Sequence, residues 1–414
     1  MRMHRLVRPT LSILSLSCFL GLSIGCHSKP ATPPLSTEAT WEQTIEQARG
    51  QTVRLAMWDG DPMINAYMRD YVTPELKQQY DVTLQLIGGQ GQNIVSKLLV
   101  DMEAKRERGD IDLMWINGET FYQLRKIHGL YGPFTDRLPN NRFIDWSNPF
   151  VGIDFQQPVE GYECPWGNVQ LTLIYNSANV IEPPRTRDSL TEWIKAHPGR
   201  FTFDNSFTGM TFLKSLLYEI AGGPQSLSGP FNEELYLSSS QKLWVWLKEV
   251  KPFLWRQGQT YPENVSQLHQ LFSNSEVDFT MSNNDGEVDN KVLQGVLPET
   301  ARAYVLESGT IRNSHYMGIP FNAANVAGAL VVANFLISPE AQLRKATPAV
   351  WGDGTVLSID RLPEEWKDRF EHIEGRTRVA PRAELEKNAL LEPASEIMVR
   401  LHADFRREII ENGK

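Results

Sequence analysis

Cysteine is nearly absent: the chain has three in 414 residues. Cys18 falls inside an N-terminal apolar run and Cys26 closes it, so Cys164 is left without a partner and the folded part must be held by its core. Cys164 stands before Pro165-Trp166 and reads as a packed small apolar residue rather than a nucleophile. The eight histidines are scattered, and no two sit at metal-ligand spacing. There is no Gly-x-Ser-x-Gly elbow, no His-Glu-x-x-His and no Walker loop. Gly89-Gln90-Gly91 runs on into Asn93-Ile94, which breaks the dinucleotide fingerprint. Asp285, Glu287 and Asp289 alternate as calcium loops do, but the remaining spacing is missing and a solvated turn is the reading. These absences leave no cofactor, no metal and no nucleophile–base pair to build on. Positive charge is also short: 41 Lys and Arg stand against 50 Asp and Glu, a net charge of −9. Nucleic acid demands a basic face, so it is excluded as a partner. No internal repeat of fixed period occurs.

The most informative feature present is the N-terminus. Arg2, Arg5 and Arg8 precede an apolar stretch from Leu11 to Ile24, closed by Ser23-Ile24-Gly25-Cys26. A basic start, an apolar middle and small residues at the cut make a secretory signal over residues 1–25. The run is shorter than the ~20 apolar residues a bilayer span needs. It resembles a bacterial lipoprotein signal in which Cys26 becomes the lipidated first residue, while Ser23-x-Gly25 also fits ordinary cleavage. Loss of the signal removes three arginines, leaving 389 residues at net charge −12. That length suffices for two domains with real cores. Residues 26–40 are rich in Pro, Ser and Thr and lack an apolar period, so they read as a tether, with folded structure starting near Trp41.

From Trp41 onward strands and helices alternate. Val53–Trp58, Val82–Ile87 and Ile111–Ile116 are expected strands, each followed by a helix, which implies a parallel sheet with right-handed crossovers. Val169–Tyr175 is an almost uncharged and therefore buried strand. Phe201–Phe203 is expected as a short strand before a helix that opens at Asn205–Gly209. Glu276–Met281 is a further strand, and Asn322–Ile337 is apolar nearly all round, hence a buried helix that Ser338-Pro339-Glu340 restarts. Several strands end in loops with glycine and polar or aromatic residues: Trp58-Asp59-Gly60, Gly89-Gln90-Gly91, Asn117-Gly118-Glu119 and Asn283-Asn284-Asp285-Gly286. Carboxyl ends of parallel strands are where open α/β sheets bind ligands, and helix N-termini after such loops present free N–H groups. Singly each is an ordinary turn. Four in order favour a cleft.

With these residues in hand, the chain resembles a bacterial ABC-transporter solute-binding protein, nearest the YnjB-like branch and the thiamine- and ferric-iron-binding groups. The likeness rests on the leader, on Gly109-Asp110-Ile111-Asp112-Leu113-Met114-Trp115, on Pro165-Trp166-Gly167-Asn168 running into Leu173-Ile174-Tyr175-Asn176, and on Phe335-Leu336-Ile337-Ser338-Pro339-Glu340-Ala341-Gln342. The resemblance implies an α/β, two-lobed periplasmic-binding-protein type II fold, with a hinge of crossing segments and a ligand cleft that closes between the lobes. Lobe one would be 41–165 plus 315–347, and lobe two 166–314 plus 348–414. It implies a monomer in the periplasm or cell envelope, held to a membrane only by its lipid anchor, with a small-molecule ligand and ABC permease subunits as partners. The cleft is expected to be lined by Trp58, Asp59, Gly89, Gln90, Asn117, Glu119, Trp166, Asn205, Asn283 and Asp285.

Iron-binding members of that family use paired, often adjacent tyrosines, whereas Tyr175, Tyr304 and Tyr316 are isolated along this chain. Stacking aromatics beside carboxylates would suit a sugar, and the same set would hold an organic cation by cation–π and ion-pair contacts. Acid at Asp59, Glu119 and Asp285, indoles at Trp58, Trp115 and Trp166, and no Lys or Arg in those loops favour the cation. Two other classes stay open: an exported enzyme on the same fold, and a structural envelope lipoprotein. The first lacks a nucleophile–base pair, and the second has no use for a lined cleft.

Overall fold

The computed structural model describes residues 35–411; the signal, Cys26 and most of the tether lie outside the described residues. Leu35 packs against the core and Arg137 donates to the Ser36 carbonyl at 3.2 Å. The first helix begins at Trp41, where Thr40 and Gln43 form a capping box.

The strands are β1 (Thr52–Met57), β2 (Thr83–Gly88), β3 (Leu113–Ile116), β4 (Ile153–Asp154), β5 (Gln157–Pro158), β6 (Glu163–Gln170), β7 (Thr172–Asn176), β8 (Phe279–Ser282), β9 (Ala301–Tyr304), β10 (Thr310–Gly318) and β11 (Ala389–Leu390). The first sheet runs β11-β10-β3-β1-β2, and β6 also pairs with β10. β1 is parallel to β2 and β3, as the strand–helix alternation implies. β10 is antiparallel to both β3 and β6.

Alternation of side chains puts the faces of this sheet into different cores. Val53, Leu55 and Met57 of β1 and Leu113 of β3 join one cluster, while Ala56, Met114 and Ile116 join another. Helix Val326–Leu336, with buried residues all round, lies in the first of these. Ser338 then caps helix Pro339–Ala346 by accepting from the Ala341 N–H at 3.3 Å.

The second sheet, β8-β7-β9, is antiparallel throughout. Leu173, Phe279 and Met281 face one cluster there, and Ile174, Ala301 and Ala303 another. Two sequence expectations are corrected. Phe201–Phe203 is buried but forms no ladder; Trp255 N–H donates to the Phe201 carbonyl at 2.9 Å, so a loop takes up the backbone group that a strand would have used. Val169–Tyr175 is not one strand: it breaks at Leu171, whose N–H bonds the Ile311 carbonyl at 2.8 Å, and the chain passes there from β6 to β7.

β6 and β10 therefore join the two halves. At one end of β10, Tyr316–Gly318 pair with β3; at the other, Thr310 and Ile311 pair with β11. The ladder between β6 and β10 shifts register at His315/Tyr316. Trp351, Val356, Leu357, Leu362 and Phe370 pack in the core of the first sheet, whereas Leu390, Ile397, Leu401 and Phe405 pack in that of the second.

One hairpin crosses between cores. β4 and β5 meet at Phe155-Gln156, with φ of 45° and 64°, a left-handed turn without glycine. Val151 before it and Val159 after it lie in first-sheet cores, yet Phe155 is buried in the second-sheet core. The Gln156 amide donates to the Glu392 carbonyl at 2.6 Å and accepts from the Gly229 N–H at 2.7 Å. These contacts offset the ~1–2 kcal/mol that a left-handed residue costs.

Candidate functional site at the strand ends

Three loops leave the carboxyl ends of β1, β2 and β3 side by side. Asp61 caps helix Pro62–Ala66, its Oδ1 accepting from the Met63 and Ile64 N–H groups at 2.7 and 3.2 Å. The Trp58 ring, 38% exposed, folds back over Gly60, where a Cβ would stand 2.6 Å from it, so only glycine fits. Asn65 Nδ2 donates to the Asp59 carbonyl at 2.8 Å. A Cβ on Gly88 would lie 3.1 Å from Asp59 Oδ2, and one on Gly91 3.9 Å from Thr120 Oγ1, so the second loop touches both its neighbours. Thr120 Oγ1 in turn donates to Asn117 Oδ1 at 3.4 Å. The structure thus brings Trp58, Asp59, Gly89, Gln90 and Asn117 onto loops at the adjoining carboxyl ends of β1, β2 and β3, with Glu119 in the first turn of the helix Gly118–Lys126 that follows β3. A cavity of about 450 Å³ opens on the β1–β2 side, with Asp59, Asn65, Arg69 and Gly88 among its walls; of the six residues above, Asp59 alone lines it.

From the other half, Asn283 Nδ2 donates to Thr208 Oγ1 at 2.9 Å, setting the loop after β8 against the first turn of helix Phe207–Ala221. Asn205 stands just before that helix, its N–H on the Pro262 carbonyl at 2.9 Å. The two halves meet where Lys291, in helix Glu287–Leu293, pairs with Asp61. Lys291 also lies 3.7 Å from Glu287. Burial alone would raise the Glu287 carboxyl, but His269, Lys291 and Ser282 outweigh it and hold the group down at about 2.

Two residues expected in the cleft have other employment. Trp166 is fully buried in β6, its ring 4.9 Å from Trp115, 5.5 Å from His315 and 5.3 Å from Trp351. β6 is hydrogen-bonded to β10 alone, but every one of its residues is buried, so the Trp166 side chain has no route to solvent. Asp285 is 2% exposed: Arg382 donates to it at 2.8 and 3.1 Å, Arg376 pairs at 2.8 Å, and the Gln170 N–H donates at 3.1 Å. Burial would raise this carboxyl; the two guanidiniums overcome that and hold it well below the usual range. Its alternation with Glu287 and Asp289 has no common focus, because Asp289 faces Arg378 at 3.3 Å and Glu287 faces His269 and Lys291. Cys164 is buried in the core, and burial pushes its thiol up.

Sequence reasoning missed Lys291, His269, His315 and Trp351. Only the Glu287–Lys291 spacing of four, the pairing distance on a helix face, was visible beforehand. His315 Nε2 lies 3.1 Å from Asp353, which also pairs with the buried Lys345. Burial lowers the Lys345 ammonium to about 8 against the pull of Asp353. Gly167 faces this group, since a Cβ there would come within 1.8 Å of His315 Nε2. Tyr175 and Tyr304, isolated in sequence, have ring centroids 5.7 Å apart in the second sheet, where Tyr304 Oη is buried and makes no hydrogen bond. Among the described residues no three His, Cys, Asp or Glu side chains converge as metal ligands.

Carboxylates, amides and an indole on adjoining loops can hold a small molecule by hydrogen bonds, charge and stacking. A family model described as bacterial extracellular solute-binding protein matches residues 71–371. The Escherichia coli K12 protein YnjB is 35% identical over 342 residues, covering 81% of this chain and 88% of YnjB. Solved structures share the fold at low identity. A spermidine/putrescine ABC transporter substrate-binding protein of Streptococcus pneumoniae is 16% identical with a TM-score of 0.57, covering 86% of this chain and 99% of its own. Iron-bound HitA of Pseudomonas aeruginosa is 14% identical with a TM-score of 0.57, covering 85% and 98%.

Proposed function

Since the chain belongs to the bacterial extracellular solute-binding protein family, we propose that it serves an ABC importer as receptor. It captures a small molecule between two lobes and delivers it to the membrane permease, without catalysis. The lobes are 41–165 plus 315–370 and 166–314 plus 371–414, residues 348–370 being counted with lobe one because Trp351, Val356, Leu357, Leu362 and Phe370 pack in its core. β6 and β10 form the hinge on which the lobes close. The protein is exported as a monomer and anchored through Cys26. Replacing Cys26 by Ser and fractionating cells tests the anchor, and unchanged membrane retention refutes it.

The ligand carries a positive charge or an amine. One observation supports this reading. Asp61 is neutralised by Lys291, and Asp285 by Arg376 and Arg382, whereas neither Asp59 nor Glu119 has a cation within 4.0 Å among the described residues. Asp59 lies beside Trp58 on the loop after β1, and Glu119 in the first turn of helix Gly118–Lys126 after the adjoining β3, an arrangement suited to an organic cation by charge and cation–π contact. Thermal shift with thiamine-like compounds, polyamines, sugars and phosphate decides. A bound compound at 100 times its Kd stabilises by ~2.7 kcal/mol. Asp59→Asn and Glu119→Gln should each reduce the response to cations. A response to sugars or phosphate alone would refute the charge assignment.

A further inference from the structure

The Asp61–Lys291 pair joins residues 230 positions apart, one from the loop after β1 and one from the half that carries the second sheet. It is shielded from water, with side-chain exposures of 14% for Asp61 and 7% for Lys291. Each end is set independently of the other. Asp61 is oriented through Oδ1 by the two N–H groups it caps, which leaves Oδ2 for the ammonium. Lys291 is guided by Glu287, one turn earlier on its helix, and Glu287 is itself fixed by Ser282 and by His269 at 3.8 Å. His269 Nδ1 is anchored on Thr280 Oγ1 at 2.8 Å. Two oriented charges meeting across a boundary between cores attract most strongly when the halves are shut, because closure shortens their separation and lowers the dielectric between them, and the partners that orient each end offset the cost of taking it from water.

We propose that Asp61 and Lys291 form a closure clasp: an ion pair made only in the closed arrangement, which sets how much of the empty receptor is shut. It acts on affinity without touching solute, since apparent affinity scales with the fraction of protein in the binding-competent state. The proposal rests on the reading that the lobes close over solute.

Small-angle X-ray scattering of the ligand-free protein tests it, in parallel with melting to establish folding. Lys291→Met and Asp61→Asn should each give a larger radius of gyration than wild type. Lys291→Arg should match wild type. Asp61→Asn keeps an oxygen to cap helix Pro62–Ala66, so it guards against a result caused by misfolding. Folded single variants with the wild-type radius would overturn the clasp, as would a folded Lys291→Arg as expanded as Lys291→Met. Either result leaves the solute-binding reading standing, because that reading is judged by the thermal-shift panel. A panel without any response to cations would refute the charge assignment and leave the scattering comparison intact.

Discussion

Lys214 and Glu392 give the sharpest test of how the second core is held. The Lys214 ammonium, 0% exposed on helix Phe207–Ala221, pairs with Glu392, 3% exposed. It lies 5.0 Å from the Phe155 ring centroid and 5.3 Å from that of Phe207. The other Glu392 oxygen accepts from Asn313 Nδ2 of β10 at 2.8 Å. Lys214→Met leaves a buried carboxylate with one amide for company, and Glu392→Met leaves a buried ammonium between two rings. Each should cost ~3–5 kcal/mol, the effect of stranding one member of a buried pair. The double variant buries no charge and loses only the Asn313 partner, at ~1–3 kcal/mol. Additivity would predict ~6–10 kcal/mol, so the coupling should be at least ~3 kcal/mol. Urea unfolding of the four proteins, followed by tryptophan fluorescence, measures it. A double variant as destabilised as the sum, within ~0.5 kcal/mol, would refute the claim that each charge is there to answer the other.

Two further outcomes concern pH. Asp154 and Glu163 are both buried beside one another, and burial followed by neighbouring carboxylates pushes both groups up. Their contribution is therefore full below the unfolded carboxylate range near ~4 and is lost as pH rises through the folded values, so Glu163→Gln should gain on wild type in urea midpoint between pH 5 and pH 8; parallel midpoints would refute this. Asp285 has the opposite sign. Held low by Arg382 and Arg376 against its burial, it stabilises above the unfolded value of ~3.9 and stops doing so as pH falls. Asp285→Asn should be clearly less stable than wild type at pH 7, with the gap closing in acid, and a gap independent of pH would refute the guanidinium account.

Local chemistry was legible before the structure. The apolar runs at Val53–Met57 and Leu113–Ile116 became parallel strands, because their alternation serves cores on both faces. The continuously apolar Val326–Leu336 became a buried helix, and Ser338 capped the next, since a cap needs only its own first turn. The glycines of Trp58-Asp59-Gly60 and Gly89-Gln90-Gly91 marked loops that adjoin, the Gly89 N–H donating to the Met57 carbonyl at 3.1 Å. The direction of the second sheet was not legible, since pairing partners there lie far apart in sequence: Thr172 opposite Ser282, Leu173 opposite Tyr304. Nor was the use of each charge. Asp285 and Asp59 are the same residue type in similar loops, yet one meets Arg376 and Arg382 from a segment about ninety positions on and the other meets no cation among the described residues. Composition sets how many charges a chain carries, and turn chemistry sets where its loops fall. Which charges cancel in the interior and which stay available to a solute depends on contacts across the chain, and those exist only once the two cores have formed and met.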